Sequence, residues 1–250
     1  MKTEIKVVTD VSELAQEAAQ RLATLAEEAV QARGVFTLAL SGGSTPRALY
    51  TVLADDPAFR TRLPWNNIHY FWGDERFVPP DHPDSNFGMA SEVLLSRVPV
   101  PPQNIHRVHT ELGDPEKTAD DYEAELRKFF STPEGQFPRF DLILLGLGPD
   151  GHTASLFPDS PALNEQAKLV VANWVEKFQS YRITMTFPVL NNGSTVMFLV
   201  AGPEKAQVVK SVLGGASDKP FPAQLVRPSN GKLVWLIDQA AATLLPEAHE

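Results

Sequence analysis

Residues 35–47 read VFTLALSGGSTPR, and the change of character at Ser41 decides the fold. Val35–Leu40 is an apolar run without alternation, which suits a strand buried on both faces, as in a parallel sheet covered by helices. Gly42, Gly43, Ser44, Thr45 and Pro46 follow at once. The glycines let the backbone approach a ligand. Thr45 stands where an N-cap belongs and Pro46 where a first helical residue belongs. A strand passing through a glycine turn into a helix is the repeating unit of an α/β fold.

The same alternation extends in both directions. Apolar runs recur at Ile68–Trp72, Leu142–Leu147, Leu169–Ala172, Thr195–Ala201 and Leu233–Ile237, and a first strand begins by about Ile5. Helical patterns lie between them at Pro46–Leu53, Ser85–Leu95, Pro115–Phe130 and Pro203–Leu213, with a closing helix in Asp238–Leu245. The first helix follows Asp10: Val11, Leu14, Ala18, Leu22, Leu25 and Ala29 share one face. Asp10 and Glu13 have capping-box spacing, and Gly34 ends the helix. The pattern predicts one α/β domain over residues 1–250, a Rossmann-like three-layer sandwich with a mostly parallel sheet. The 21 prolines gather in connections and read as stiff turns.

A net charge of −9 argues against nucleic acid, which needs a large basic face. It leaves room for an anionic small molecule, because a few cations in a cleft outweigh the bulk charge locally. The absence of cysteine removes disulfides, thiolate nucleophiles and sulfur-ligated metals. Without a signal-like N-terminus or a long apolar stretch, the expectation is a cytoplasmic protein with no membrane partner, either a monomer or a homodimer.

Four segments carry chemistry. In Leu40–Arg47, free amides around Gly42 and Gly43, the hydroxyls of Ser44 and Thr45, and a helix start suit a phosphate; the same residues also make an ordinary capped turn. In Gly73–Gly88, GDERFVPPDHPDSNFG, Asp74 and Arg76 follow a buried strand, where ligands of open α/β sheets sit. Arg76 offers a planar fork for a phosphate or, equally, a partner for a nearby acid. In Leu145–Pro158, LGLGPDGHTASLFP, His152 sits in a glycine-rich turn past a strand, with Asp150 placed to orient it. The alternative is a histidine that caps the next element. Lys205 starts a helix after another strand, and Arg182 fits a structural ion pair or a substrate contact. His106 and His109 lack a convincing third metal ligand, and no GxSxG elbow occurs.

Taken in order, SGGSTP, GDERFVP with HPDSNFG, GLGPDGHTASLFP, RITMTFPVLN and AGPEKAQVVK resemble the 6-phosphogluconolactonase family, over about residues 5–245. The resemblance implies a fold shared with sugar-phosphate deaminases and isomerases, and hydrolysis of 6-phospho-D-glucono-1,5-lactone in the oxidative pentose phosphate pathway. It also implies no cofactor. By motif position, His152 matches the proposed general base, and Arg76, Lys205 and the Gly42–Thr45 loop match the phosphate site. Amides of the Gly148–Gly151 turn are candidates for the oxyanion. Glucosamine-6-phosphate deaminases resemble the chain at SGGSTP and carry an Asp at the position of Asp74. They place a catalytic Glu where Phe157 stands, and DEY where this chain has Arg76. A third reading is a sugar-phosphate sensing domain, which needs a DNA-binding module ahead of the first strand.

Overall fold

The computed structural model describes residues 2–215 and 219–246. Its strands are β1 (Lys2–Val8), β2 (Phe36–Leu40), β3 (Ile68–Trp72), β4 (Asp74–Arg76), β5 (Leu142–Leu145), β6 (Val170–Val175), β7 (Ser180–Met185), β8 (Thr195–Val200) and β9 (Lys232–Asp238). The helices are α1 (Val11–Arg33), α2 (Ser44–Asp55), α3 (Pro57–Arg60), α4 (Asn86–Ala90), α5 (Pro115–Phe130), α6 (Phe187–Leu190), α7 (Ala206–Leu213) and α8 (Gln239–Ala242). None is long and apolar enough to cross a membrane.

Six strands form one sheet in the order β1-β9-β8-β5-β2-β3. Every neighbouring pair is parallel, as the unalternating apolar runs predict. From β2 the chain proceeds outward to β3, whereas from β5 it proceeds the other way to β8 and β9. The crevice between the carboxyl ends of β2 and β5 is therefore a topological switch point, where open α/β sheets bind ligands.

Two buried tyrosines fix the strand ends around that crevice. The Tyr50 hydroxyl accepts from the Ser41 amide at 2.9 Å and donates to the Ser41 carbonyl at 2.8 Å. Tyr122 does the same for Trp72, at 2.8 and 3.1 Å. Each satisfies two backbone groups at a strand end, Ser41 just past β2 and Trp72 at the last position of β3, that would be costly to leave unpaired in a buried site.

Several expectations change. The Leu169–Ala172 run does not join the parallel sheet. It opens β6, which pairs antiparallel with β7, and β7 pairs antiparallel with β4, giving a second sheet in the order β4-β7-β6. At the start of α2 the N-cap is Gly43, not Thr45, and no side chain caps it. The Asp10 side chain does cap α1, accepting from the Glu13 amide at 2.9 Å, but Glu13 reaches back to the Thr9 amide instead of completing the reciprocal box. The closing helix spans only Gln239–Ala242.

Candidate active site

A cleft of about 280 Å³ opens at the switch point. It is lined by Gly42, Gly43, Ser44 and Thr45 after β2, by Asp74 and Arg76 of β4, by His152 after β5, and by Lys205 after β8. Four separate segments of the chain thus converge. Asp150 and Arg182 are not part of this lining but adjoin it, Asp150 through its bond to His152 and Arg182 opposite Arg76 in the ladder.

The loop after β2 keeps its amides available. The first backbone bond of α2 runs from the Arg47 amide to the Gly43 carbonyl at 3.1 Å, so the N–H groups at its start point ahead of the helix toward the cleft. Gly42 is required there. A Cβ at this position would lie 1.9 Å from the Asn86 side-chain oxygen. Asn86 is buried, lines the cleft, and donates from its side chain to the Asp74 carbonyl at 2.9 Å. Sequence reading passed over it, because an Asn in a proline-rich stretch reads as turn chemistry.

Asn86 is held in turn by Glu75. That buried carboxylate accepts from the amides of Arg76, Asn86 and Phe87, each at 2.7 Å, and from the Ser85 hydroxyl at 3.3 Å. Burial pushes the Glu75 carboxyl up to about 7, against the pull of these amides. The buried Asp74 accepts from the Ser155 hydroxyl at 2.6 Å, which ties β4 to the loop that carries His152. Neither Glu75 nor Ser155 was singled out from sequence; an acid or a serine beside a recognised motif carries no signal until its partners are known.

His152 is held on two sides. Its Nδ1 lies 2.5 Å from Asp150 Oδ1, and its ring stacks on Phe157 with centroids 4.1 Å apart. The hydrogen bond to His152 is the main force holding the Asp150 carboxyl down at about 2. An ionised carboxylate only accepts, so Nδ1 carries the proton of this bond, and in the neutral ring the lone pair is at Nε2. That is the tautomer a general base needs. Gly148 makes room for the ring, since a Cβ there would lie 1.9 Å from Nδ1.

The turn does not supply the expected oxyanion donors at its glycines. The Gly148 amide donates to the His152 carbonyl at 2.9 Å, and the Gly151 amide to the Gly148 carbonyl at 3.0 Å. Both donors are spent in closing the turn that seats the histidine.

The cations are arranged differently from one another. Arg76 donates to the Asp84 carbonyl at 2.9 Å. Arg182 faces Arg76 across the β4–β7 ladder and donates to the Ser180 hydroxyl at 2.7 Å. Lys205 ends a short 3-10 turn, Pro203–Lys205, and is the N-cap residue of α7. Among the described residues, none of the three forms an ion pair with a carboxylate. Cations gathered without ion-pair contacts suit an anionic ligand.

The chain matches the family described as glucosamine-6-phosphate isomerases/6-phosphogluconolactonase over residues 9–235. It is 44% identical to a 6-phosphogluconolactonase of Synechocystis, over 96% of this chain and 98% of that protein. It is 43% identical to the 6-phosphogluconolactonase of Homo sapiens, over 93% of this chain and 88% of the other. Among solved structures, it superposes on the 6-phosphogluconolactonase of Trypanosoma brucei with a TM-score of 0.85 and 29% identity, covering 98% of this chain and 99% of that one.

Proposed function

The chain belongs to the glucosamine-6-phosphate isomerase/6-phosphogluconolactonase family, and from that premise we propose that it hydrolyses 6-phospho-D-glucono-1,5-lactone to 6-phospho-D-gluconate. The observation that carries the reading is the joint presence, in one cleft, of a carboxylate-held imidazole and of Arg76 and Lys205, neither in an ion pair among the described residues.

His152 Nε2 takes a proton from water as the water oxygen bonds to the lactone carbonyl carbon. The imidazolium, stabilised by Asp150, then returns that proton to the ring oxygen as the carbon–oxygen bond breaks. The lactone carbonyl is electrophilic enough that no covalent intermediate is needed. Arg76, Lys205 and the amides after β2 hold the remote phosphate, so that its binding energy orients the reacting carbon. Hydrolysis by this route uses no cofactor. A cytoplasmic role in the oxidative pentose phosphate pathway belongs to the same proposal.

Phe157 separates this reading from sugar-phosphate deamination. It stacks directly on His152 and has no proton to give or take where the deaminase reading requires a carboxylate. The test is a lactone-opening assay, corrected for spontaneous hydrolysis, run beside ammonia release from glucosamine 6-phosphate. Acceleration of the first without the second is expected; steady ammonia release with no faster lactone opening overturns the proposal.

A further inference from the structure

The turn joining β6 to β7 reaches the rear of the site without lining it. Lys177 Nζ lies 3.8 Å from Asp150 Oδ2, while Asp150 Oδ1 holds His152. One carboxylate thus bridges an ammonium and the imidazole. Phe178 carries this lysine: the Lys177 ammonium lies 5.5 Å from the Phe178 ring centroid, and Phe178 meets Phe157, the residue under His152, edge-on at 5.9 Å. The turn is braced from inside. Gln179 donates from its side chain to the Glu176 carbonyl at 3.0 Å, and the Trp174 indole to the Glu176 carboxylate at 2.8 Å. A half-exposed phenylalanine and an exposed lysine, 46% and 58% accessible, thus stand beside the catalytic pair, the phenylalanine on Phe157 and the lysine within ion-pair distance of Asp150.

We propose that Lys177 is a positioning residue that sets the proton affinity of His152 through their shared carboxylate, Asp150. This inference rests on His152 being the base. The other charged groups around the imidazole are Asp74 and Arg76 from β4, and Glu204 and Lys205 from the turn after β8. Lys177 differs from them in touching the carboxylate that bonds Nδ1. Its ammonium takes up part of that carboxylate's charge and opposes the imidazolium. With the ammonium gone, Asp150 acts on His152 undivided, the imidazolium is favoured, and the base is protonated at higher pH.

The test compares pH profiles of kcat/KM for the wild type, Lys177→Met and Lys177→Arg. A unit charge one carboxylate away in a half-exposed site shifts a proton equilibrium about two- to fivefold. The acid limb of Lys177→Met should therefore move up by about 0.3–0.7 pH unit, with KM at the plateau unchanged within about twofold. Lys177→Arg should return the limb to the wild-type position. A residue with only a structural role would lower the plateau and leave the limb in place. A folded Lys177→Met whose acid limb coincides with wild type overturns the inference. A wild-type profile with no acid limb at all overturns the His152 reading itself, so the two failures are distinguishable.

Discussion

The two sheets contribute to the cleft in different ways. The parallel sheet is buried, and it delivers its functional groups on turns beyond the strand ends: the Gly42–Thr45 loop after β2, His152 after β5 and Lys205 after β8. The small antiparallel sheet delivers Asp74 and Arg76 from within a strand, with Arg182 opposite Arg76 in the ladder. A side chain on a turn needs local devices to fix it, and His152 has them in Gly148, Phe157 and Asp150. In a ladder the backbone is fixed by the strand pairing, and the side chains of Asp74, Arg76 and Arg182 are held by hydrogen bonds to Ser155, Asp84 and Ser180. On the proposed reading, proton transfer rests on the parallel sheet, whereas the phosphate is held from both sheets, by Lys205 and the Gly42–Thr45 loop on one and Arg76 on the other, so loss of the base and loss of a cation should have different kinetic signatures.

The largest effect is expected at His152. General-base catalysis contributes about 10²–10⁴-fold, so His152→Ala should fold normally, bind 6-phosphogluconate nearly as well as wild type, and lose kcat by that range. Steady-state kinetics with spontaneous hydrolysis subtracted, beside product titration, measure both. A folded variant that kept more than about a third of kcat would break the comparison, because a general base cannot contribute so little. The proton acceptor would then be Asp74, on the other sheet.

Phosphate recognition comes next, and it draws on one cation from each sheet. A charge-assisted hydrogen bond is worth roughly 1.5–3 kcal/mol, so Arg76→Ala and Lys205→Ala should each lower kcat/KM for the phosphorylated lactone by about 10- to 150-fold. The unphosphorylated lactone should be affected little by either. Equal losses on both substrates would mean that these cations do not read the phosphate.

The same contrast explains what was legible in the chain. Ile68–Trp72 reads as a strand and is β3 to the residue, because a strand buried on both faces is a continuous apolar run. Pro115–Phe130 is α5 to the residue, because its Asp114 cap, N-terminal proline and apolar face agree. His152, Arg76, Lys205 and the Gly42–Thr45 loop follow such elements directly, and the structure brings them together. Of the antiparallel sheet only β6 was legible, as the Leu169–Ala172 run, and its separation from the parallel sheet was not. β4 is three residues long and consists of Asp, Glu and Arg, which no hydrophobic period can mark. β7, SYRITM, does alternate polar with apolar, but it was read only for Arg182, and its pairing with β4 is a long-range fact. The supports of the site, Glu75, Asn86 and Ser155, were missed for the same reason: their roles lie in hydrogen bonds to residues 10 to 81 positions away.

Arg182 is where the smallest effect is expected, and where the two sheets differ most finely. Its guanidinium is held by Ser180 and lies 5.3 Å from the Phe178 ring centroid, yet it faces Arg76 across the ladder with no carboxylate of the described residues in ion-pair contact. Burial first, and the charge of Arg76 second, push its pKa below the usual arginine value. Like charges directly opposite in a ladder cost about 0.2–1 kcal/mol. Arg182→Gln should therefore raise Tm slightly, by roughly 1–3 °C for a chain of this size. It should also weaken recognition. Arg182 is not part of the cleft lining, so its field reaches a bound phosphate at longer range than Arg76 does, and its loss should raise KM for the phosphorylated lactone only about two- to fivefold. That increase should shrink as ionic strength rises, because the interaction is through space, whereas the penalty of Arg76→Ala should persist in salt. Gained stability together with lost affinity is the mark of a charge kept for a ligand. If Arg182→Gln instead loses stability at unchanged KM, Arg182 is a structural residue of β7, and the anion site contains one ladder arginine, not two.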